Sequence, residues 1–166
     1  MSVKYIRDML FFYSEDCPLS NFYKRNFRVN GINFFCLEQA FMYSKAMVFG
    51  DTDIGEKIML QTSAKECKRL GRLVSNFNEH TWNKRKTAIM RSLCKQKFSN
   101  DPGLRNYLLS TSNYVLVEAS PVDCIWGVGM DMDDPKIGNP ANWRGQNLLG
   151  MVLMQVREEL RQEQGA

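Results

Sequence analysis

The chain has one histidine, His80, and that scarcity removes most of the usual catalytic devices. A Ser-His-Asp or Cys-His arrangement would rest on this single residue, with no supporting motif around it. The five cysteines, Cys17, Cys36, Cys67, Cys94 and Cys124, are odd in number, scattered and without a CxxC pair. Such a set predicts reduced thiols in a cytoplasmic or nuclear setting rather than a disulfide frame. Without a second histidine or finger-type spacing, no metal is expected. Neither GxGxxG nor GxxxxGK[ST] occurs, so there is no dinucleotide fingerprint and no P-loop. No apolar run approaches the roughly 18 residues of a membrane span. The N-terminal MSVKYIRDMLFFYSED interrupts its short apolar run with charge, unlike a signal peptide. A membrane partner is therefore not expected. Internal repeats and low-complexity linkers are also missing.

What remains is an ordinary globular composition: 166 residues, 44% hydrophobic and 24% charged. This predicts one domain over 1–166, with the polar tail 161–166 frayed. The net charge of +4 is unevenly spread. Between Lys65 and Lys97, ten Lys or Arg stand against Glu66 and Glu79 alone. A block of that size attracts phosphates, although a solvated helix face is the commoner reason for such a run.

Short signals order the chain. Met9–Tyr13 reads as a strand. Phe27–Val29 and Ile32–Phe35 flank Asn30-Gly31, which predicts a β-hairpin. Helices are expected over Leu37–Phe49 and Asp53–Leu60, then from a Ser63 cap with Glu66 completing a capping box. A long helix follows over Trp82–Phe98, and Asp101-Pro102 starts another. Tyr114–Glu118 alternates as a strand. Met130–Arg144 is loop, and Gly145–Leu160 is the last helix. Asp131, Asp133 and Asp134 in the loop lack the later ligands of a calcium loop.

The stretch Phe34–Lys45 is unusual. From Leu37 to Phe49 the helix is apolar on nearly every side, which places it inside a domain. It nevertheless carries Glu38 and Lys45, which at seven residues apart share one stripe with Phe41 and Met42 between them. Their axial offset of about 10 Å is long for an ion pair. Each charge must meet either a distant partner or water, or else a polar ligand in a cleft. Further along, Gly127-Val128-Gly129 could admit a phosphate, and Trp126 could stack on a flat ring. Gly145-Gln146-Asn147 would open a helix whose first amides make an anion seat.

Several pieces occur together and in order. They are SNFY at 20–23, GxxFxxxEQAFMxxKA from Gly31 to Ala46, and LGR at 70–72. They continue with Trp82, LVEAS at 116–120, DxxWGxG at 123–129 and RGQNLLGMVLMxVR ending at Arg157. Together they resemble the NADAR (YbiA-like) N-glycosidase family over nearly the entire chain. The resemblance implies an α+β fold, a single largely helical domain with a small β-sheet. It implies cleavage of the bond between a base or amine nitrogen and ribose C1. The family's substrates are phosphoribosyl-amino-pyrimidine intermediates of riboflavin synthesis and, in another branch, ADP-ribose on guanine. The expected partner is thus an ADP-ribose-type or ribosyl nucleotide, with DNA or RNA as its carrier, and no cofactor is expected.

Position by position, the resemblance makes Glu38, Lys45 and Asp123 the catalytic candidates. Asn21, Phe22, Trp82, Arg85, Trp126, Gly127 and Asn147 are the substrate-binding candidates. Two schemes stay open: a desolvated Lys45 amine attacking C1, or Glu38 and Asp123 acting as paired carboxylates. A non-catalytic reader of ADP-ribose or nucleotide is a further alternative.

Overall fold

A computed structural model describes residues 3–165. These form two compact units, one from the segments up to Ser20 and from Asp101 onward, the other Asn21–Asn100. The expected α+β class holds: among the described residues there are six α-helices and two small sheets.

The first unit is built on a three-stranded sheet. Strand β1 (Val3–Ile6) pairs antiparallel with β2 (Met9–Phe12), and β2 pairs parallel with β5 (Val115–Glu118). The β1 strand is absent from the sequence reading. Its two-residue connection, Arg7-Asp8, lacks the Asn-Gly signature, and Arg7 itself takes φ 52°. Every residue of β2 is buried, as expected of a strand covered on both faces. Met9 and Phe11 join Val117, Ala119, Val128, Met130 and Ile137 in one core. Met132 and Trp143 pack against it from the 130–144 loop, and the Trp143 indole N–H donates to Ile137 O at 2.8 Å. This loop has no regular structure except a single 3₁₀ turn at Pro140–Asn142.

Two helices complete this unit. Asp101 caps α5 (Pro102–Ser110), its side chain accepting from Leu104 N–H. Helix α6 (Leu148–Gln164) packs on β5 and α5. The expected frayed tail is helical to Gln164, and Arg161 reaches Ser112 O. Ala166 lies outside the described residues.

The second unit holds the hairpin and four helices. Strands β3 (Phe27–Val29) and β4 (Ile32–Phe34) pair around Asn30 and Gly31, at φ 50° and 81°. Both residues therefore sit in the left-handed region that Asn and Gly tolerate best. The chain then enters α1 (Leu37–Val48), α2 (Thr52–Met59), α3 (Ala64–Gly71) and α4 (Glu79–Ser99). Asp51, Ser63 and Asn78 cap the last three. The Ser63 half of the capping box is present, with Glu66 N–H donating to Ser63 Oγ. The Glu66 carboxylate, however, accepts from Arg69. Helix α1 packs against α2, α3 and α4, the surroundings its apolar circumference requires. No helix among the described residues is long and apolar enough to cross a membrane.

Candidate functional site

Helix α1 starts at Cys36, whose sulfur accepts from Gln39 N–H at 3.4 Å. Glu38 lies in the first turn and is buried, at 7% exposure. A carboxylate is well placed there because the helix dipole favours negative charge. Its own N–H donates to Asn21 O at 3.0 Å, which fixes the SNFY loop against the helix. The Asn21 side chain points its amide N–H₂ to Met90 Sδ at 3.7 Å, and its Oδ1 is buried without a protein donor. A buried acceptor without a donor is rare.

Lys45 lies in the last turn of α1 and is half-buried. Its amine donates to Gly71 O at 2.8 Å. The amine also lies 4.8 Å from the Phe77 ring centre and 5.9 Å from that of Trp82. Phe49 braces both rings, with centroids 5.3 Å from Phe77 and 6.3 Å from Trp82. Phe41 packs on Trp82 at 5.3 Å. Burial lowers the Lys45 pKa below the ordinary lysine range. The Glu38 carboxylate opposes that shift and Arg72 assists it. The two charges of the stripe therefore sense each other on one helix. Phe77 and Trp82 supply aromatic walls around the amine, where the sequence pointed to Phe41 and Met42.

The Gly71 carbonyl explains the LGR motif. A Cβ on Gly71 would sit 1.9 Å from Met42 Sδ and 2.9 Å from its Cγ. Only glycine lets α3 approach α1 closely enough to present that carbonyl to the amine. Phe77 and the Gly71 carbonyl are the parts of this site that residue reading missed. Phe77 lies in a loop with no periodic signal, just after Asn76 at φ 60°.

Lys97 is the second surprise. It is counted in the basic block, yet it is 1% exposed. Its amine lies 4.9 Å from the Phe98 ring centre and 5.9 Å from that of Tyr23. Burial pushes the Cys36 thiol up to about 11; Glu38 adds to the rise and Lys97 opposes it. Both charges thus act on one thiol. Of the other candidates in this unit, Trp82 is buried against Phe41 and Phe49. Phe22 lies under the Lys68 amine at 5.9 Å. Arg85 lies on the exposed side of α4.

Asp123, Trp126, Gly127 and Asn147 belong to the other unit. Asp123 Oδ1 accepts from the backbone N–H of both Ile125 and Trp126, at 2.9 Å each. Its carboxylate thereby shapes the DCIWG turn. Trp126 is half-buried. Gly127 is packed so tightly that a Cβ would meet Asp123 O and Ser120 Cβ at 2.9 Å. The expected anion seat before α6 is closed. Leu148 N–H donates to Ile125 O, and Leu149 N–H donates to Trp126 O. The helix also starts later than expected, at Leu148, because Asn147 takes φ 53°.

Asn147 is buried, and its side chain faces the fold rather than a ligand. Its Oδ1 accepts from Glu118 N–H and its Nδ2 donates to Leu116 O, each at 3.0 Å. Asn147→Ala removes both bonds and leaves a non-glycine residue in a left-handed conformation. A loss of about 2 kcal/mol is expected, read as a lower urea midpoint. Asn147→Gly should recover only the backbone share.

In the 130–144 loop, Asp131 and Asp134 cap turns of their own segment, accepting from Asp133 N–H and Lys136 N–H. Of the basic block, Lys65, Arg69, Arg72, Lys84, Arg85 and Arg91 are exposed, and Arg69 is paired with Glu66.

Known proteins resemble this chain in sequence and fold. The chain is 41% identical over 165 residues to Protein irg-1 of Caenorhabditis elegans, covering 90% of this chain and 78% of that one. It is 45% identical over 126 residues to N-glycosidase R617 of Acanthamoeba polyphaga mimivirus, covering 75% and 74%. The NMR structure of the E. coli protein YbiA matches with a TM-score of 0.78 at 30% identity, over 96% of this chain and 89% of that one. The NADAR domain matches residues 11–161, from inside β2 to the last turn of α6, so the chain belongs to the NADAR domain family.

Proposed function

We infer that this chain is an N-glycosidase, a hydrolase of the bond between a base or amine nitrogen and ribose C1, and that its substrate is guanine-linked ADP-ribose on nucleic acid. The observation that carries the reading is the Lys45 amine. It is half-buried, held by Gly71 O, lowered in pKa by burial, and borne on the same helix as buried Glu38. The N-glycosidase name of the R617 relative supports the reaction class. The exposed cations of the basic block favour a substrate with several phosphates.

In this scheme the free Lys45 amine attacks C1, and the C1–N bond breaks with its electron pair leaving on the base, which takes up a proton. The amine nitrogen then gives up a proton, the ring C1–O bond opens, and the ring oxygen is protonated, leaving a Schiff base. Water adds to the imine carbon, the lysine departs, and the ribose recloses. Glu38 moves the protons between amine, ring oxygen and water. The Asn21 Oδ1 acceptor suits a ribose hydroxyl. Asp123 Oδ1 already holds two backbone amides, which favours a turn-holding role over that of a second catalytic carboxylate.

The test is a two-substrate comparison with the purified protein: a guanine-ADP-ribosylated oligonucleotide and a phosphoribosyl-amino-pyrimidine. Release of ADP-ribose from the first is expected. Consumption of the second alone would move the substrate to the riboflavin intermediates and keep the reaction class. Glu38→Gln should abolish turnover and preserve ADP-ribose binding. Wild-type protein that binds ADP-ribose and cleaves neither conjugate would make it a reader.

A further inference from the structure

We propose that a groove beside the start of α1 seats a single-stranded polynucleotide, the strand that carries the modified nucleotide; the identity of that strand rests on the reading above, the seat itself does not. The groove is about 810 Å³ and is bordered by Lys24, Arg25, Asn26, Asn33, Phe35 and Gln61, with no carboxylate among its lining residues. Its floor is fixed by backbone ties. Arg25 N–H donates to Phe35 O at 3.0 Å. Phe35 N–H donates to Gln39 Oε1 at 2.9 Å, and Gln39 Nε2 donates to Ile58 O at 3.1 Å. Gln39 follows Glu38 directly, so the groove opens about 100° around α1 from the acid.

The chemistry of the walls selects the occupant. Lys24 meets phosphodiesters, and three amide side chains offer both donors and acceptors to base edges. The half-buried Phe35 ring offers a stacking face. An acidic peptide would engage Lys24 and leave the amides and the ring unused. The groove is open to solvent, whereas sites for small ligands enclose most of their occupant. The surrounding charge agrees. Residues 21–100 carry 15 Lys and Arg against 6 Asp and Glu, a formal +9, while the rest of the chain carries 7 against 12, a formal −5. The modest net charge of the whole protein conceals a strongly basic unit of the kind that attracts polyanions.

Fluorescence anisotropy with a labelled, unmodified oligothymidylate of about a dozen nucleotides tests the seat. Wild-type protein is expected to bind with affinity that falls steeply with salt. Lys24→Glu should weaken binding about tenfold and reduce the salt slope by about one. Asn33→Ala should weaken it at high salt, where the phosphate contribution is screened. Lys136→Glu, exposed and outside both the groove and the basic unit, should change it by no more than about twofold. The proposal is overturned if the oligonucleotide does not bind, or if Lys24→Glu and Lys136→Glu weaken it equally. Displacement of the strand by polyglutamate at matched charge would also overturn it. Strand binding without cleavage of any conjugate would sink the N-glycosidase reading alone. Cleavage without strand binding would sink the groove alone.

Discussion

Lys45→Arg is expected to lower turnover by at least about a thousandfold, although it keeps a cation beside the Phe77 and Trp82 rings. Arginine is protonated at every accessible pH and offers no free amine. If Lys45 acted only as a positive charge on phosphate or hydroxyl, the same change would cost about tenfold at most. The sign of the pH dependence follows from the site. Burial disfavours the ammonium form, so the amine gives up its proton below the ordinary lysine range, with Glu38 restraining the shift. The wild-type rate should rise with pH along a limb set by that lowered pKa. Lys45→Arg should show no such limb. Borohydride added during turnover should reduce the Schiff base and leave a ribosyl adduct on the peptide containing Lys45. Repeated failure to trap that peptide from active protein would leave the lysine scheme without support.

Gly71→Ala should produce the second large effect, by moving the amine rather than removing it. The added Cβ would collide with the buried Met42 side chain at Sδ and Cγ, so α3 must withdraw from α1. Overpacking of this kind costs about 1–3 kcal/mol. The Gly71 carbonyl withdraws with α3 and Lys45 loses its anchor. A displacement near 1 Å at a reacting atom can reduce rate by about a hundredfold. Thermal unfolding and kcat together read the two consequences. A double-mutant cycle isolates the clash: Gly71→Ala should be less costly in a Met42→Ala background, where the space is open. Equal cost in both backgrounds would rule out the Met42 contact as the reason for glycine.

Much of this was legible in the residues because the signals are local. Asn30-Gly31 set the hairpin, and Ser63 and Asp101 each cap the helix they precede. Glu38 and Lys45 stood out because two charges on an apolar helix conflict with burial. Other features were closed to sequence reading because tertiary contacts decide them. The Arg7-Asp8 turn has no favourable turn residue, so β1 was invisible. Lys97 resembles its exposed neighbours in sequence, and only the packing of α4 takes its amine inside. The α6 amides look like an anion seat until the Ile125 and Trp126 carbonyls, more than 20 residues earlier, are found filling them. Asn147 stood among the binding candidates at the start of that helix; here β5 takes both ends of its amide.

The parallel partnership of β2 with β5 bears on how the molecule comes into being. Met9 aligns with Val115 and Phe12 with Glu118, so the all-apolar strand made first must wait for about a hundred further residues to leave the ribosome. Residues 21–100 face no such delay, since that unit is one unbroken run of chain. Synthesis therefore favours a finished lysine-bearing half while MLFF still lacks its second neighbour, and in that interval the nascent chain carries a sticky ribbon that can pair with other chains.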